Sequence, residues 1–197
     1  MNEEVERTLR SDPTMASLVD RHGRLTVEPA DDAFRRLCVS ILNQQLSTAS
    51  AAAIREQAFA VLDDEVTPER VLDADAGRLR DAGVSETKVR YLRAAARAFR
   101  ERDLTREGFS GVDDAAVLTE LTSITGIGEW TARMYLLFAL GREDVLPLGD
   151  LAVRRGIEEL YADGEELSRP AMREIAEAWR PYRSYGTRYV WAAYESE

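Results

Sequence analysis

One cysteine and one histidine stand in 197 residues, and that scarcity removes whole classes of chemistry. A lone Cys38 forms no intrachain disulfide and supplies neither a four-cysteine zinc site nor a four-cysteine iron–sulfur cluster. A lone His22 makes a histidine-rich metal site or a Ser-His-Asp triad a poor fit. Glycine and proline, at 12 and 6, are too sparse for a turn-rich all-β chain. No run approaches the roughly 20 apolar residues that a membrane helix needs. The start, MNEEVERTLRSD, is acidic where a secretory signal would be basic and then apolar. The expectation is an intracellular, cytoplasmic protein with no membrane partner. What is present, 45% hydrophobic and 31% charged residues, is ordinary for a globular chain. The length suits one substantial core or two small lobes around a cleft.

Lysine is nearly missing as well: Lys88 stands alone among 26 basic residues, the rest arginine. Net charge is −10, with 36 acidic residues, which taken alone argues against a nucleic-acid partner. Along the chain, however, the acid is localised. Residues 63–75 hold six acidic residues against Arg70, whereas residues 78–102 hold eight basic against three acidic, and 169–188 five against two. An acidic, lysine-poor surface also suits a salt-rich cytoplasm, so the total charge can report habitat as readily as ligand.

Helix punctuation recurs throughout and strand signals are nearly absent. Asp12-Pro13 opens a segment that stops at Gly23, and Asp31-Asp32 precede an apolar-periodic run with Phe34, Leu37, Cys38 and Ile41. Ser47 can cap an Ala-rich helix to Leu62, and Thr67-Pro68-Glu69 has the order of a cap, a first-turn proline and an early acid. Ser85 opens a long helix to about Arg102, buried along Val89, Leu92, Ala96 and Phe99, with Arg90, Arg93, Arg97 and Arg100 forming one basic face. Further helices are expected from Asp113-Asp114 to Ile124, and over 129–140, 151–161, 170–179 and 182–194. The fold class is all-α with about ten helices.

The most informative stretch is Leu121-Thr-Ser-Ile-Thr-Gly-Ile-Gly-Glu-Trp-Thr-Ala132. A helix ends, Gly126-Ile127-Gly128 turns tightly, and a second helix begins at once. Glycines serve where the backbone takes positive φ or approaches a ligand closely. The first N–H groups of the second helix then form a ready anion site that needs no side-chain charge. A Gly-x-Gly turn alone would usually be only a connector. Here Leu146-Pro-Leu-Gly-Asp150 follows, leading into Leu151-Ala-Val-Arg-Arg155. Upstream stands Ile41-Leu-Asn-Gln-Gln-Leu-Ser47, and downstream Trp179-Arg-Pro-Tyr-Arg-Ser-Tyr185 with Trp191 beyond. Together these segments resemble the helix-hairpin-helix DNA glycosylase superfamily, and within it the 3-methyladenine-DNA glycosylase II (AlkA-type) branch, in a compact form without an N-terminal β-domain. The resemblance covers roughly residues 33–194.

The resemblance implies a single domain over 1–197 with two lobes about a cleft, the hairpin at about 114–141, and the catalytic loop with its following helix at about 142–161. It makes Asp150 the catalytic carboxylate, although the same residue also stands where an N-cap belongs. A helix N-terminus favours the ionised form, and a carboxylate beside C1′ would stabilise the oxocarbenium-like charge that builds as an N-glycosidic bond breaks. Lyase-type relatives carry a hairpin lysine as Schiff-base nucleophile. Aligned on G-I-G-x-x-T-A, that position is Trp130 here, so a monofunctional hydrolase is expected. Trp130 and Trp191 are implied to line the flipped-base pocket, with Met134 and Tyr185 as further base contacts. Electron-rich rings suit cationic alkylated purines.

Met134 replaces an aromatic residue found in some relatives, which bears on the range of bases. The resemblance places Gln44, Gln45 and Leu46 near the gap left by the extruded nucleotide, with Gln45 or Leu46 as plug. Gly126, Ile127, Gly128 and Thr131 are the expected DNA contacts of the hairpin. The carbonyls of Thr122, Ile124 and Ile127 would hold a structural Na or K; no cofactor is expected for the chemistry, and no iron–sulfur cluster. The expected partner is double-stranded damaged DNA, and the expected state a monomer associated with the nucleoid. Two alternatives stay open: another lesion such as hypoxanthine or uracil, or a hairpin module that only binds DNA backbone.

Overall fold

The computed structural model describes residues 1–46 and 48–196, and among them are twelve α-helices, one 3-10 turn and no strand. The all-α expectation holds, and the helix count exceeds it by two. The first additional helix is α1 (Glu3–Leu9), capped by the Asn2 side chain and buried only at Val5 and Leu9. The second arises because the segment after Thr67 forms two short helices, α5 (Pro68–Asp73) and α6 (Ala76–Asp81), the latter capped by Asp75. Each of these short helices is too brief to show a readable apolar period. Ser47, the expected cap of α4 (Thr48–Val61), lies outside the described residues.

The chain divides into two compact units. One is continuous, Pro29–Leu140, and contains α3 (Ala33–Asn43), α4 to α6, α7 (Glu86–Glu101), α8 (Asp114–Thr122) and α9 (Glu129–Phe138). Its hub is α3, which packs on α4, α7 and α9. Phe34 meets Phe99 edge-on with ring centroids 5.0 Å apart, Phe99 in turn meets Tyr135 at 6.3 Å, and the Tyr135 hydroxyl donates to the Leu104 carbonyl at 2.6 Å. Edge-to-face pairs of this kind add to the burial of apolar surface that holds the helices together.

The other unit joins Met1–Glu28 to Gly141–Glu197 and contains α1, α2 (Pro13–His22), α10 (Leu151–Ala162), α11 (Arg169–Ile175), the 3-10 turn Ala176–Trp179 and α12 (Arg183–Tyr194). Its core gathers Val5, Leu9, Met15 and Leu18 from the first segment with Val153, Ile157, Trp179 and Tyr189 from the second. Asp12 is the polar tie between those segments. Its Oδ1 caps α2 by accepting from the Thr14 and Met15 N–H groups at 2.8 and 3.2 Å. Its Oδ2 accepts from the Tyr161 hydroxyl at 2.8 Å and the fully buried Trp179 indole at 3.2 Å. Burial pushes the Tyr161 hydroxyl up, so it remains a donor.

Replacing Asp12 removes a cap and strands two donors, one of them wholly buried, each a loss of about 1–2 kcal/mol. Asp12→Ala should therefore lower unfolding free energy by about 3 kcal/mol in urea titration, and Asp12→Asn, which still caps, by less. A loss below about 1 kcal/mol for Asp12→Ala would show that the tie is dispensable.

Candidate active site

In the continuous unit, the six-residue stretch between α8 and α9 forms a tight hairpin. Ile124 and Ile127 point their side chains into the core, and the Ile127 N–H donates to the Ile124 carbonyl at 3.0 Å. The two glycines differ in what requires them. Gly126 has φ +90°, and a Cβ there would run into the ring of Tyr91 on α7. Gly128 has φ −85°, open to any residue, and a Cβ there meets nothing within 4 Å. A side chain at Gly126 would therefore strain the turn itself, whereas one at Gly128 would not. The structural demand falls on Gly126, and Gly128 leaves the start of α9 open to whatever approaches. No side chain caps α9, in contrast to α7, α8 and α10, where Ser85, Asp113 and Asp150 do so.

Residues 44–46 stand between α3 and α4. The Gln44 side-chain amide is committed to the hairpin: its Nε2 donates to the Gly126 carbonyl at 3.1 Å and to Thr131 Oγ1 at 2.8 Å. Gln44 and the buried Thr131 therefore brace the turn from within the protein. Gln45 has φ +56° and is exposed, and Leu46 is one of the few large exposed apolar side chains. The last turn of α3 is held in addition by Lys88, whose Nζ donates to the Leu42 carbonyl at 2.7 Å, partial burial lowering its pKa. On α9, Trp130 is half-buried and Met134, one turn on, is buried. The basic face of α7 is smaller than its spacing suggests. Arg93 turns inward, and its Nη2 donates to the Ala74 carbonyl at 2.8 Å, while Arg90 and Arg97 are exposed.

In the discontinuous unit, the segment from Gly141 reaches α10 through Leu146, Pro147 and Leu148, all buried. Asp150 is the N-cap of α10, in extended backbone (φ −79°, ψ 130°), and its Oδ1 accepts from the Val153 N–H at 3.1 Å. The same oxygen accepts from the Trp191 indole Nε1 at 3.3 Å. The carboxylate is thus fixed from two directions, by the backbone of the helix that follows it and by an aromatic side chain from α12. Gly156 lets these helices meet: a Cβ there would lie 2.6 Å from Val190 Cγ1 and 3.2 Å from the Val190 carbonyl. Arg154 folds back so that its Nη1 donates to the Leu148 carbonyl at 3.0 Å, stiffening the turn before Asp150.

Residues 38–181 match the family described as HhH-GPD superfamily base excision DNA repair protein, a stretch that contains both the hairpin and Asp150. The chain belongs to the HhH-GPD superfamily. Among solved structures, a DNA-3-methyladenine glycosidase from Bacillus halodurans is 31% identical, with a TM-score of 0.83 over 98% of this chain and 89% of that one. A Schizosaccharomyces pombe 3-methyladenine DNA glycosylase in complex with abasic DNA is 28% identical, with a TM-score of 0.87 over 98% and 97%. Among curated proteins, DNA-3-methyladenine glycosylase 2 of Escherichia coli is 27% identical over 171 residues, 81% of this chain and 57% of that protein.

The HhH-GPD fold brings Asp150 and Trp191 into contact in one unit, and Gln44, Gly126 and Thr131 in the other. Tyr185, expected to touch the base, is only 5% exposed, and its hydroxyl donates to Glu143 Oε1 at 3.1 Å. Burial first, then that bond, push its pKa up to about 12. Residues that the sequence did not single out are Gly156 and Asp144; Ser184 stood only within the segment 179–185, with no role of its own. A glycine inside the apolar-periodic α10 was the only available signal, pointing to close packing. No group of three or more His, Cys, Asp or Glu able to hold a metal occurs among the described residues.

The two hairpin glycines should respond differently to a methyl group. Gly126→Ala should lower stability by about 1–3 kcal/mol through the Tyr91 clash and the positive φ, whereas Gly128→Ala should stay within about 0.5 kcal/mol of wild type. Thermal unfolding of both variants measures this, and equal losses would contradict the division.

Proposed function

We propose that this HhH-GPD protein is a monofunctional DNA glycosylase that flips alkylated purines of the 3-methyladenine and 7-methylguanine kind out of duplex DNA and hydrolyses their N-glycosidic bond, leaving an abasic site. The observation that carries the reading is Asp150: a carboxylate at a helix N-terminus, held by the Trp191 indole, directly after the Leu146–Gly149 segment in a chain of this family. The names borne by the relatives support the choice of alkylated bases.

The bond to the base breaks with positive charge building on the deoxyribose, and Asp150 stabilises that charge and orients the attacking water. Because Oδ1 is held by two N–H groups, the carboxylate is positioned before the reaction begins and needs little reorganisation. Trp130 on α9 and Trp191 on α12 each offer an indole face suited to a base that is cationic and already easily unstacked. Gln45 or Leu46, both exposed, fills the space the nucleotide vacates. The N–H groups at the start of α9, reached across Gly128, hold a backbone phosphate. The carbonyls of Thr122, Ile124 and Ile127 are neutral oxygen donors, a set that suits a monovalent Na or K ion; when bound, such an ion would add positive charge at the hairpin. Lyase chemistry is not expected: the hairpin has Trp130 at the lysine position, and Lys88 is anchored to the Leu42 carbonyl. The chain acts as a monomer on damaged double-stranded DNA inside the cell.

The test is incubation with duplexes carrying methylated purines, hypoxanthine or uracil, with free base as the readout. Methylated bases should be released and strands should remain intact until alkali is added. Borohydride trapping of a protein–DNA adduct would overturn the monofunctional reading. Asp150→Asn, which still caps α10, should slow base release by about 10²-fold or more while retaining affinity for damaged duplex. Wild-type release in that variant would remove Asp150 from the chemistry.

Gly128→Val should weaken binding to damaged and undamaged duplex alike and leave the order of lesion preference unchanged, since phosphate contacts carry no sequence information. Unaltered affinity in a fluorescence-anisotropy titration would show that the hairpin is not the phosphate site.

A further inference from the structure

Residues 142–145, which lead toward Asp150, lie in neither helix nor strand, so their polar backbone must be satisfied from elsewhere. The first turn of α12 does this in register. Arg183 forks onto Asp144, with Nε to Oδ1 at 2.7 Å and Nη2 to Oδ2 at 3.0 Å, and Nη2 also reaches the Asp144 carbonyl at 3.2 Å. Ser184, fully buried, donates through Oγ to the Arg142 carbonyl at 2.6 Å and accepts from the Val145 N–H at 2.9 Å, while its own N–H donates to the Glu143 carbonyl at 2.9 Å. Tyr185 closes the set on the Glu143 carboxylate. Two turns further along the same helix, Trp191 holds Asp150 Oδ1. One helix therefore grips both ends of the nine-residue segment that presents the carboxylate, and the stretch between is packed on buried Leu146 and Leu148.

We infer that Arg183 and Ser184 are positioning residues for Asp150: by fixing residues 142–145 to the helix that carries Trp191, they set the carboxylate's place relative to the indole. The inference rests on the reading of Asp150 as the catalytic group. A bidentate arginine fork of which 15% of the side chain is exposed is a rigid coupling, unlike a solvated ion pair. A misplacement of about 1 Å in a catalytic group can cost on the order of 10²-fold in rate. The Arg183–Asp144 and Ser184 contacts thus bear on rate without touching substrate.

The test uses Ser184→Ala, Arg183→Lys (charge kept, fork lost) and Asp144→Asn in the full chain, each confirmed folded by its thermal transition. Three readouts are taken: single-turnover base release, affinity for an abasic-site duplex, and the indole N–H resonance of Trp191, assigned by its disappearance in Trp191→Phe. Release should fall about 10- to 100-fold with duplex affinity within about threefold of wild type. The Trp191 resonance should move, and adding Asp150→Asn should bring no further loss beyond that of Asp150→Asn alone. Unchanged release in a folded variant, an unmoved resonance, or losses that persist undiminished in the Asp150→Asn background would each overturn the inference. Should Ser184→Ala fail to fold, Arg183→Lys and Asp144→Asn decide. If the wild-type chain released no base from any duplex, the functional reading would fall, and the resonance alone would decide whether the first turn of α12 holds the Asp150–Trp191 contact.

Discussion

The contact between α10 and α12 at Gly156 is the constraint from which the proposed chemistry follows. With hydrogen in place of a methyl, Val190 can lie against the α10 backbone, and the next residue along α12 is Trp191. A hydrogen bond of 3.3 Å between its indole and Asp150 Oδ1 tolerates only a few tenths of an ångström of separation before it weakens. A Cβ at position 156 would lie 2.6 Å from Val190 Cγ1, so either Val190 or the helix contact beside Trp191 would have to shift. A carboxylate meant to stabilise charge must stay fixed while remaining a carboxylate, and N–H donors achieve both at once. The rest of the unit supports this arrangement. Asp12 ties the N-terminal segment to Trp179, and the first turn of α12 secures the segment before Asp150.

A net charge of −10 on a protein proposed to hold DNA requires a physical account. Many arginines are already occupied within their own units: Arg10 with Glu6 and Asp20, Arg70 with Glu65 and Asp63, Arg102 with Glu120, Arg133 with Glu129, and Arg183 with Asp144. Exposed pairs of this kind add little stability each, but they neutralise charge that a count along the sequence treats as available. The basic patches seen in the sequence are accordingly reduced in the fold, Arg93 being turned toward a carbonyl. On the proposed function, phosphate recognition would fall more heavily on backbone N–H groups at the start of α9, which carry no formal charge and are invisible in any charge count.

What could be read from the sequence is what lies close together along it. Caps, the hairpin, the first-turn prolines and the carboxylate before α10 are each encoded within a few residues, and the structure has them in place. The pairings were not legible. Trp191 meets Asp150 across 41 positions, Ser184 meets Val145 across 39, and Gln44 meets the Gly126 carbonyl across 82. Serine, glutamine and aspartate are common surface residues, and nothing local marks them as buried braces. Resemblance reports position and so placed Gln44 and Tyr185 near the ligand, but it carries no sign of their hydrogen bonds to Thr131 and Glu143, which depend on tertiary packing. The short α1 and α6 escaped for a related reason: one or two buried residues per helix make no period.

The three glycines that matter here answer to three different forces. Gly126 is required by the chain itself, since its φ is positive and the Tyr91 ring fills the space a Cβ would take. Gly156 is required by a neighbouring helix, at an ordinary helical backbone conformation. Gly128 is required by nothing in the protein: its φ is negative and a methyl there would stand in open space. A glycine in the third situation sacrifices backbone entropy on folding without relieving any internal strain. The balance tips in its favour only if something from outside comes against the backbone at that place. Because Gly128 caps a helix whose first turn has no side-chain cap, the approaching group should be an acceptor of N–H hydrogen bonds, and at the positive end of a helix it should be an anion.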